Sequence, residues 1–140
     1  VMVKQFTSGS SNRFNVLKNY EQGKIHVLTS MKCLDEGVDV PRSELAIFCA
    51  STGNPRQFIQ RRGRVLRLHN DKTHATIHDL VVIPKINSHE TSSDIERNLV
   101  KTELVRVADF ASLAMNKTQS YLALKEVLEH FNINLNDFYH

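Results

Sequence analysis

The chain has 140 residues, 41% hydrophobic and 24% charged, with a formal net charge of +3. That is ordinary for a globular chain and leaves one domain, or one domain with an appendage, long enough to bury a core; the charge by itself singles out no nucleic-acid binder. No apolar run nears the roughly 20 residues that cross a bilayer, and two cysteines, Cys33 and Cys49, in no CxxC pair exclude a disulfide framework and point to a reducing, cytoplasmic setting without a membrane.

Val1 to Phe6 reads as a short strand, and Thr7 to Asn12 as a polar loop with helix-cap chemistry. From Asn12 to Glu21 the apolar positions Phe14, Leu17 and Tyr20 recur at helical spacing, and Gly23 ends that helix. Ile25 to Thr29 is a compact apolar strand. Ser30 to Val40 is an irregular connector closed by Pro41, and Glu44 to Ala50 is a further buried strand. Ser51 to Asn54 forms a loop, and Pro55 stands where a first helical residue belongs. The helix it opens runs to about Leu66. A polar turn, Leu68 to Lys72, leads to a long apolar strand, Ala75 to Ile83, closed by Pro84.

Strands alternating with helices over residues 1–84 predict an α/β domain whose parallel sheet is covered on both faces. Ligands of such sheets bind at the carboxyl ends of strands, where Thr7, Ser30 and Ser51 fall. Residues 85–92 form a linker to a helical extension over 93–140. Ser93-Asp94-Ile95-Glu96 has the form of a capping box. The helix it opens runs to about Met115, with Ile95, Leu99, Val107, Ala111 and Ala114 on roughly one side. Thr118 to Phe131 makes a second helix, and both apolar stripes read as core packing.

Five of the nine arginines, Arg56, Arg61, Arg62, Arg64 and Arg67, lie within twelve residues, around Gly63. A helix can carry such a cluster merely to stay solvated. Against that, a glycine inside a helix costs roughly 1 kcal/mol relative to alanine, and suggests a close approach to the backbone. Arg64 and Arg67 are three apart and Gln60 lies four before Arg64, so a helix places all three on one face. Guanidinium forks suit phosphate oxygens bidentately, where lysine offers a point charge.

The connector VLTSMKCLDEGVDVP holds three acids and one glycine. Asp35-Glu36-Gly37 is either a plain turn, or Gly37 is a point of close approach and Asp39 a fixed hydrogen-bond acceptor. No histidine supports Asp35, Glu36 and Asp39, so no metal site is expected. The seven histidines form no metal-binding pattern, and Cys33 reads as a packed thiol.

These two stretches resemble motifs V and VI of the second RecA-like domain of superfamily-two helicases of the DEAD/DEAH type. VLTSMKCLDEGVDVP is similar to motif V, and FIQRRGRVLR to motif VI with Gln60, Arg61, Gly63, Arg64 and Arg67 in register. The resemblance covers residues 1–84. It includes Arg13, at a recurrent arginine position, and HATIHDLV, at the strand after motif VI. It implies a parallel-sheet RecA-like domain of the P-loop NTPase type, short of its first strand, with a C-terminal helical appendage. Arg64 and Arg67 would be arginine fingers reaching nucleotide phosphates held by an N-terminal RecA-like domain. Gln60 would help place the γ-phosphate or the attacking water, and Gly37 and Asp39 would touch the nucleotide. Thr7, Ser8, Gly9, Ser30 and Lys32 would hold a nucleic-acid backbone without reading its sequence.

The chain departs from the pattern at Met31, where motif V commonly has threonine. Glu36 stands where the DEAD-box RNA branch usually has arginine, which makes the chain more similar to the restriction-enzyme and DNA-repair branch and points to duplex DNA. Double-stranded-RNA translocases share that acidic form. The chain has no GxxxxGKS/T phosphate loop and no DExx strand motif for Mg²⁺. The expectation is therefore a piece of a longer ATP-dependent helicase or translocase. ATP and Mg²⁺ would be held mainly by the N-terminal RecA-like domain, and this chain alone would be inactive. A non-catalytic nucleic-acid clamp is the competing reading.

Overall fold

The computed structural model describes residues 1–7, 9, 12–30, 38–49, 55–70, 72–86 and 93–134, with the backbone alone for 55–58 and 61. The element order is β1 (Val3–Phe6), α1 (Arg13–Glu21), β2 (Val27–Ser30), β3 (Leu45–Phe48), α2 (Pro55–Val65), β4 (Thr76–Asp79), α3 (Asp94–Leu113) and α4 (Lys117–His130). Contacts gather these into two compact units, Val1–Leu80 and Val81–His140.

The first unit is α/β, with its described strands in parallel ladders. β1 pairs with β2, Val3 opposite Val27 and Phe6 opposite Ser30. β3 pairs with β4, Leu45 opposite Thr76 and Phe48 opposite Asp79. A helix joins each pair, α1 the first and α2 the second, as parallel neighbours require. Cover on both faces is not found among the described residues: Val27, Leu45, Ile47 and Leu80 are all exposed. Strands apolar on both sides read as doubly buried, but here one side of each is open.

α1 follows Asn12, whose side chain makes no cap hydrogen bond, so the cap chemistry expected of this loop is not used there. The expected stripe of Phe14, Leu17 and Tyr20 is also corrected. Phe14 is 77% exposed, and the packed positions are Val16, Leu17 and Tyr20. Steps of three residues drift by about 60° each around a helix of 3.6 residues per turn, so Phe14 swings off the face that Tyr20 keeps. Gly23 does end the helix, at φ +73° in the left-handed region. Arg42 covers that end, its Nη1 donating to the Glu21 carbonyl at 2.8 Å. The core beneath is Phe6, fully buried, with Val38 and Val40.

In the second unit the capping box is present in both directions. Ser93 Oγ accepts from the Glu96 N–H at 3.2 Å, and Glu96 Oε2 accepts from the Ser93 N–H at 2.8 Å. The buried stripe of α3 is Val100, Leu104, Ala108 and Ala111. Ile95 and Leu99, placed in sequence on that side, are exposed. At 100° per residue Ile95 lies about 180° and Leu99 about 140° around the helix from Leu104, on the far side from the buried stripe. α3 and α4 close over Leu128, Phe131 and Ile133, joined by Val81, Ile83 and Ile86. Those three follow β4, which ends at Asp79, short of the strand expected to run to Ile83. Among the described residues no helix is long and apolar enough to cross a membrane.

Candidate functional site

α2 opens on Pro55, whose fixed φ suits a first helical position. It closes at Val65, a buried side chain that anchors the end of the helix. Arg64 therefore sits in the last turn. Arg67 lies beyond the helix, although the Leu66 N–H still donates to the Arg62 carbonyl at 3.0 Å. The two arginines converge on consecutive residues of a distant segment. Arg64 Nη1 donates to the Val38 carbonyl at 2.8 Å. Arg67 Nη1 bonds the Asp39 carboxylate as an ion pair.

The segment is shaped to receive them. Val38 and Val40 point into the core while Asp39 between them faces solvent. An extended backbone alternates in this way. The Asp39 and Arg67 side chains stay 44% and 56% exposed, so the pair adds little stability, about 0–1 kcal/mol. Such a pair holds a guanidinium in place and releases it at small cost.

A third cation braces the same two segments. Lys72 Nζ donates to the Val65 carbonyl at 2.7 Å, to Pro41 at 2.6 Å and to Ser43 at 3.2 Å. Burial pushes the Lys72 pKa below its ordinary value, while Glu44 and Glu21 pull it back up. Ser43, one of the buried polar residues, shares a 2.8 Å hydrogen bond with the Tyr20 hydroxyl.

The other predicted residues divide. Gln60 is exposed on α2. Thr7 and Ser30 lie at the carboxyl ends of adjacent strands, as the Phe6–Ser30 register places them. Gly9 is exposed beside them. Arg13 stacks over the Phe6 ring at 4.9 Å, just before Thr7. Ser8, Lys32, Gly37 and Ser51 lie outside the described residues. The close approach expected at Gly63 is not found among the described residues, since a Cβ there would meet nothing within 4 Å.

Sequence reasoning passed over Lys72 and Arg42. A single lysine in a polar turn looks like any solvated lysine, and no spacing marks a bond to a carbonyl 29 or 31 positions away. The signal available was thin: a basic residue shortly after a helix end, where it can meet unpaired carbonyls.

A guanidinium pair held by one carbonyl and one carboxylate has the chemistry to take phosphate oxygens instead. Among the described residues no group of three or more His, Cys, Asp or Glu could hold a metal ion.

Residues 4–69 match the family model of the helicase conserved C-terminal domain. The DNA 3'-5' translocase XPB2 of Sulfurisphaera tokodaii is 37% identical over 67 residues, 48% of this chain and 15% of that protein. The ATP-dependent RNA helicase DDX51 of Mus musculus is 38% identical over 69 residues, 48% of this chain and 11% of that protein. A Dicer-like protein 2 of Neurospora crassa is 26% identical over 129 residues, 83% of this chain and 8% of that protein. The chain thus spans a small part of each relative's length. The solved C-terminal domain of the DEAD-box protein Dbp5 superposes with a TM-score of 0.48 at 16% identity, over 76% of this chain and 57% of that one. The arginine helix and its acidic partner segment both lie inside the stretch, residues 4–69, that is similar to the helicase conserved C-terminal domain.

Proposed function

We propose that this chain is the second RecA-like motor domain of an ATP-dependent helicase or translocase, with Arg64 and Arg67 as its arginine fingers. The observation that carries the reading is their convergence on Val38 and Asp39, which brings motif VI onto motif V. An N-terminal RecA-like domain would present ATP across a cleft and, with it, most of the ligands for Mg²⁺. On its arrival Arg67 would exchange a weak exposed carboxylate pair for phosphate oxygens. Arg64, anchored in the last turn of α2, would do so from a more rigid base. Both would offset the charge that develops as the γ-phosphoryl leaves. Gln60, one turn before Arg64, would orient the γ-phosphate or the attacking water. Gly37 and Asp39 would line the nucleotide side.

Thr7, Ser8, Gly9, Ser30 and Lys32 would hold a nucleic-acid backbone at the strand ends. Phe6 links that end to the fingers, because it packs in one cluster with Val38 and Val40. The first unit carries twelve Lys and Arg against seven Asp and Glu, and the second six against eight. The basic surplus thus lies wholly in the unit proposed to grip phosphates. Duplex DNA is the preferred track, on Glu36 and on the relative named a DNA translocase. The relative named an RNA helicase, at near-equal identity, favours RNA as a second reading.

In the full-length protein, Arg64→Ala or Arg67→Ala should lower ATP turnover on the order of 10³-fold or more, with much smaller change in nucleic-acid affinity. Turnover within a few-fold of the unmodified protein overturns the finger assignment and moves the reading to a passive clamp. Stimulation of that turnover by duplex DNA against duplex RNA, at matched salt, chooses between the two tracks.

A further inference from the structure

We propose that Lys72 is a positioning residue for the arginine pair: its ammonium ties the end of α2 to the segment 38–43 and so sets where Arg64 and Arg67 point. This inference rests on the motor reading above.

The geometry is that of a three-way brace. An ammonium carries three protons and accepts nothing. Lys72 spends them on one carbonyl of the arginine helix, Val65, and on two of the receiving segment, Pro41 and Ser43. Val65 lies between Arg64 and Arg67 in the chain. As the last residue of α2 its carbonyl lacks an intrahelical partner, and a cation there also complements the helix dipole. Pro41 and Ser43 lie two and four residues after Asp39, in the same segment as the Val38 and Asp39 that receive the arginines. Lys72 therefore grips both sides of the contact that the fingers make, through acceptors other than the two that the arginines use.

Lys72 is itself held at the backbone. The Lys72 N–H donates to the His69 carbonyl at 3.0 Å, and the two residues form an isolated antiparallel bridge. The side chain is part-buried, and desolvating a charge is unfavourable unless hydrogen bonds compensate. A tetrahedral ammonium can converge on three carbonyls. A planar guanidinium cannot reproduce that arrangement.

The test is steady-state ATP hydrolysis by the full-length protein carrying Lys72→Met, Lys72→Arg, Arg67→Ala, or Lys72→Met with Arg67→Ala. For Lys72→Met, kcat should fall by about 10- to 100-fold, the scale of a finger displaced by about an ångström. KM for ATP and nucleic-acid affinity should stay within about threefold, and Lys72→Arg should recover part of the loss. With Arg67 already absent, Lys72→Met should cost no more than about threefold, because residues acting as one unit are not additive. Two results overturn the proposal while the motor reading stands: kcat of Lys72→Met within about threefold of the parent when Arg67→Ala is nearly inactive, or losses that multiply in the double variant. Unchanged turnover in Arg67→Ala and Arg64→Ala overturns the motor reading, and this proposal with it. Should Lys72→Met melt before it can be assayed, Lys72→Gln, which keeps two amide donors, is held to the same criteria.

Discussion

In Val81–His140 two helices close over Val100, Leu104, Ala108, Leu128, Phe131 and Ile133. In Val1–Leu80 the described buried cluster is Phe6, Val38 and Val40, and polar braces make several of the remaining joins. Arg42 closes α1, Tyr20 meets Ser43, Lys72 holds three carbonyls, and Arg64 and Arg67 reach Val38 and Asp39. The contrast shows how the chain separates stability from work. Apolar packing fixes a shape and does little else. Polar braces fix positions at a modest net stabilisation, about 0.5–3 kcal/mol for a hydrogen bond depending on charge and less for the exposed Arg67–Asp39 pair, and so leave the gripping groups able to change partners.

The sharpest test of that contrast pairs two phenylalanines that are fully buried among the described residues, Phe6 and Phe131. Phe131→Ala and Phe6→Ala should each cost about 3–5 kcal/mol, read by amide exchange in the unit concerned. Their functional effects should differ. Phe131→Ala should loosen α3 and α4 while ATP turnover, under conditions where the protein stays folded, remains within about twofold. Phe6→Ala should lower turnover as well, because its cavity lies against the valines on either side of Asp39. Equal turnover losses in the two variants would sink the division of labour.

A smaller effect is expected at the end of α1. Gly23 sits at φ +73°, and a Cβ there would come within 2.6 Å of the Arg42 guanidinium. That guanidinium is the flexible end of a side chain and can move, but it then loses the Glu21 carbonyl. Gly23→Ala should cost about 1–2 kcal/mol, chiefly the left-handed backbone penalty. Adding Arg42→Ala should cost little more, since the first change already displaces the brace. A full second loss in the double variant would show that the guanidinium had stayed.

What could be read from the sequence follows the range of the interaction. Gly23 as a helix end, Pro55 as a helix start and Ser93 with Glu96 as a capping box all act within a few residues, and each was legible. So was the strand and helix alternation behind the parallel ladders. Helix faces were read less well. Phe14 belongs by spacing to a stripe with Leu17 and Tyr20, yet only Val16, Leu17 and Tyr20 reach the core. Ile95 and Leu99 were merged with a stripe that is centred elsewhere on α3. Steps of three or four residues look alike one at a time, but their drift accumulates and carries the ends of a long stripe to different sides of the helix. Of the site, the arginines and Asp39 were visible as residue types in a pattern. That Arg67 would lie beyond α2 and pair with Asp39, 28 positions away, was not. Nor was Lys72, because a side chain that bonds backbone carbonyls has no partner residue type to betray it.

The smallest effect belongs to the second unit, where a polar device supports an apolar fold. Glu96 Oε2 accepts from both the N–H and the hydroxyl of Ser93, at 2.8 and 2.9 Å. The Ser93 backbone and then side-chain hydrogen bonds hold the Glu96 carboxyl below its ordinary pKa. A depressed carboxylate contributes stability that is fully present above its unfolded value and lost as the pH falls through the folded one. The start of α3 should therefore fray in acid below the ordinary glutamate range and stay firm at neutral pH. Ser93→Ala, which removes the hydroxyl from both roles, should cost about 1 kcal/mol at neutral pH. Glu96→Gln keeps an acceptor for the Ser93 N–H but cannot titrate. Amide exchange over the first turn of α3 should then lose part of its dependence on pH in Glu96→Gln, while the core around Leu104 is unchanged. An acid response identical to that of the parent would mean that the fraying comes from other carboxyls, and that the box is an ornament on a helix held by its buried face alone.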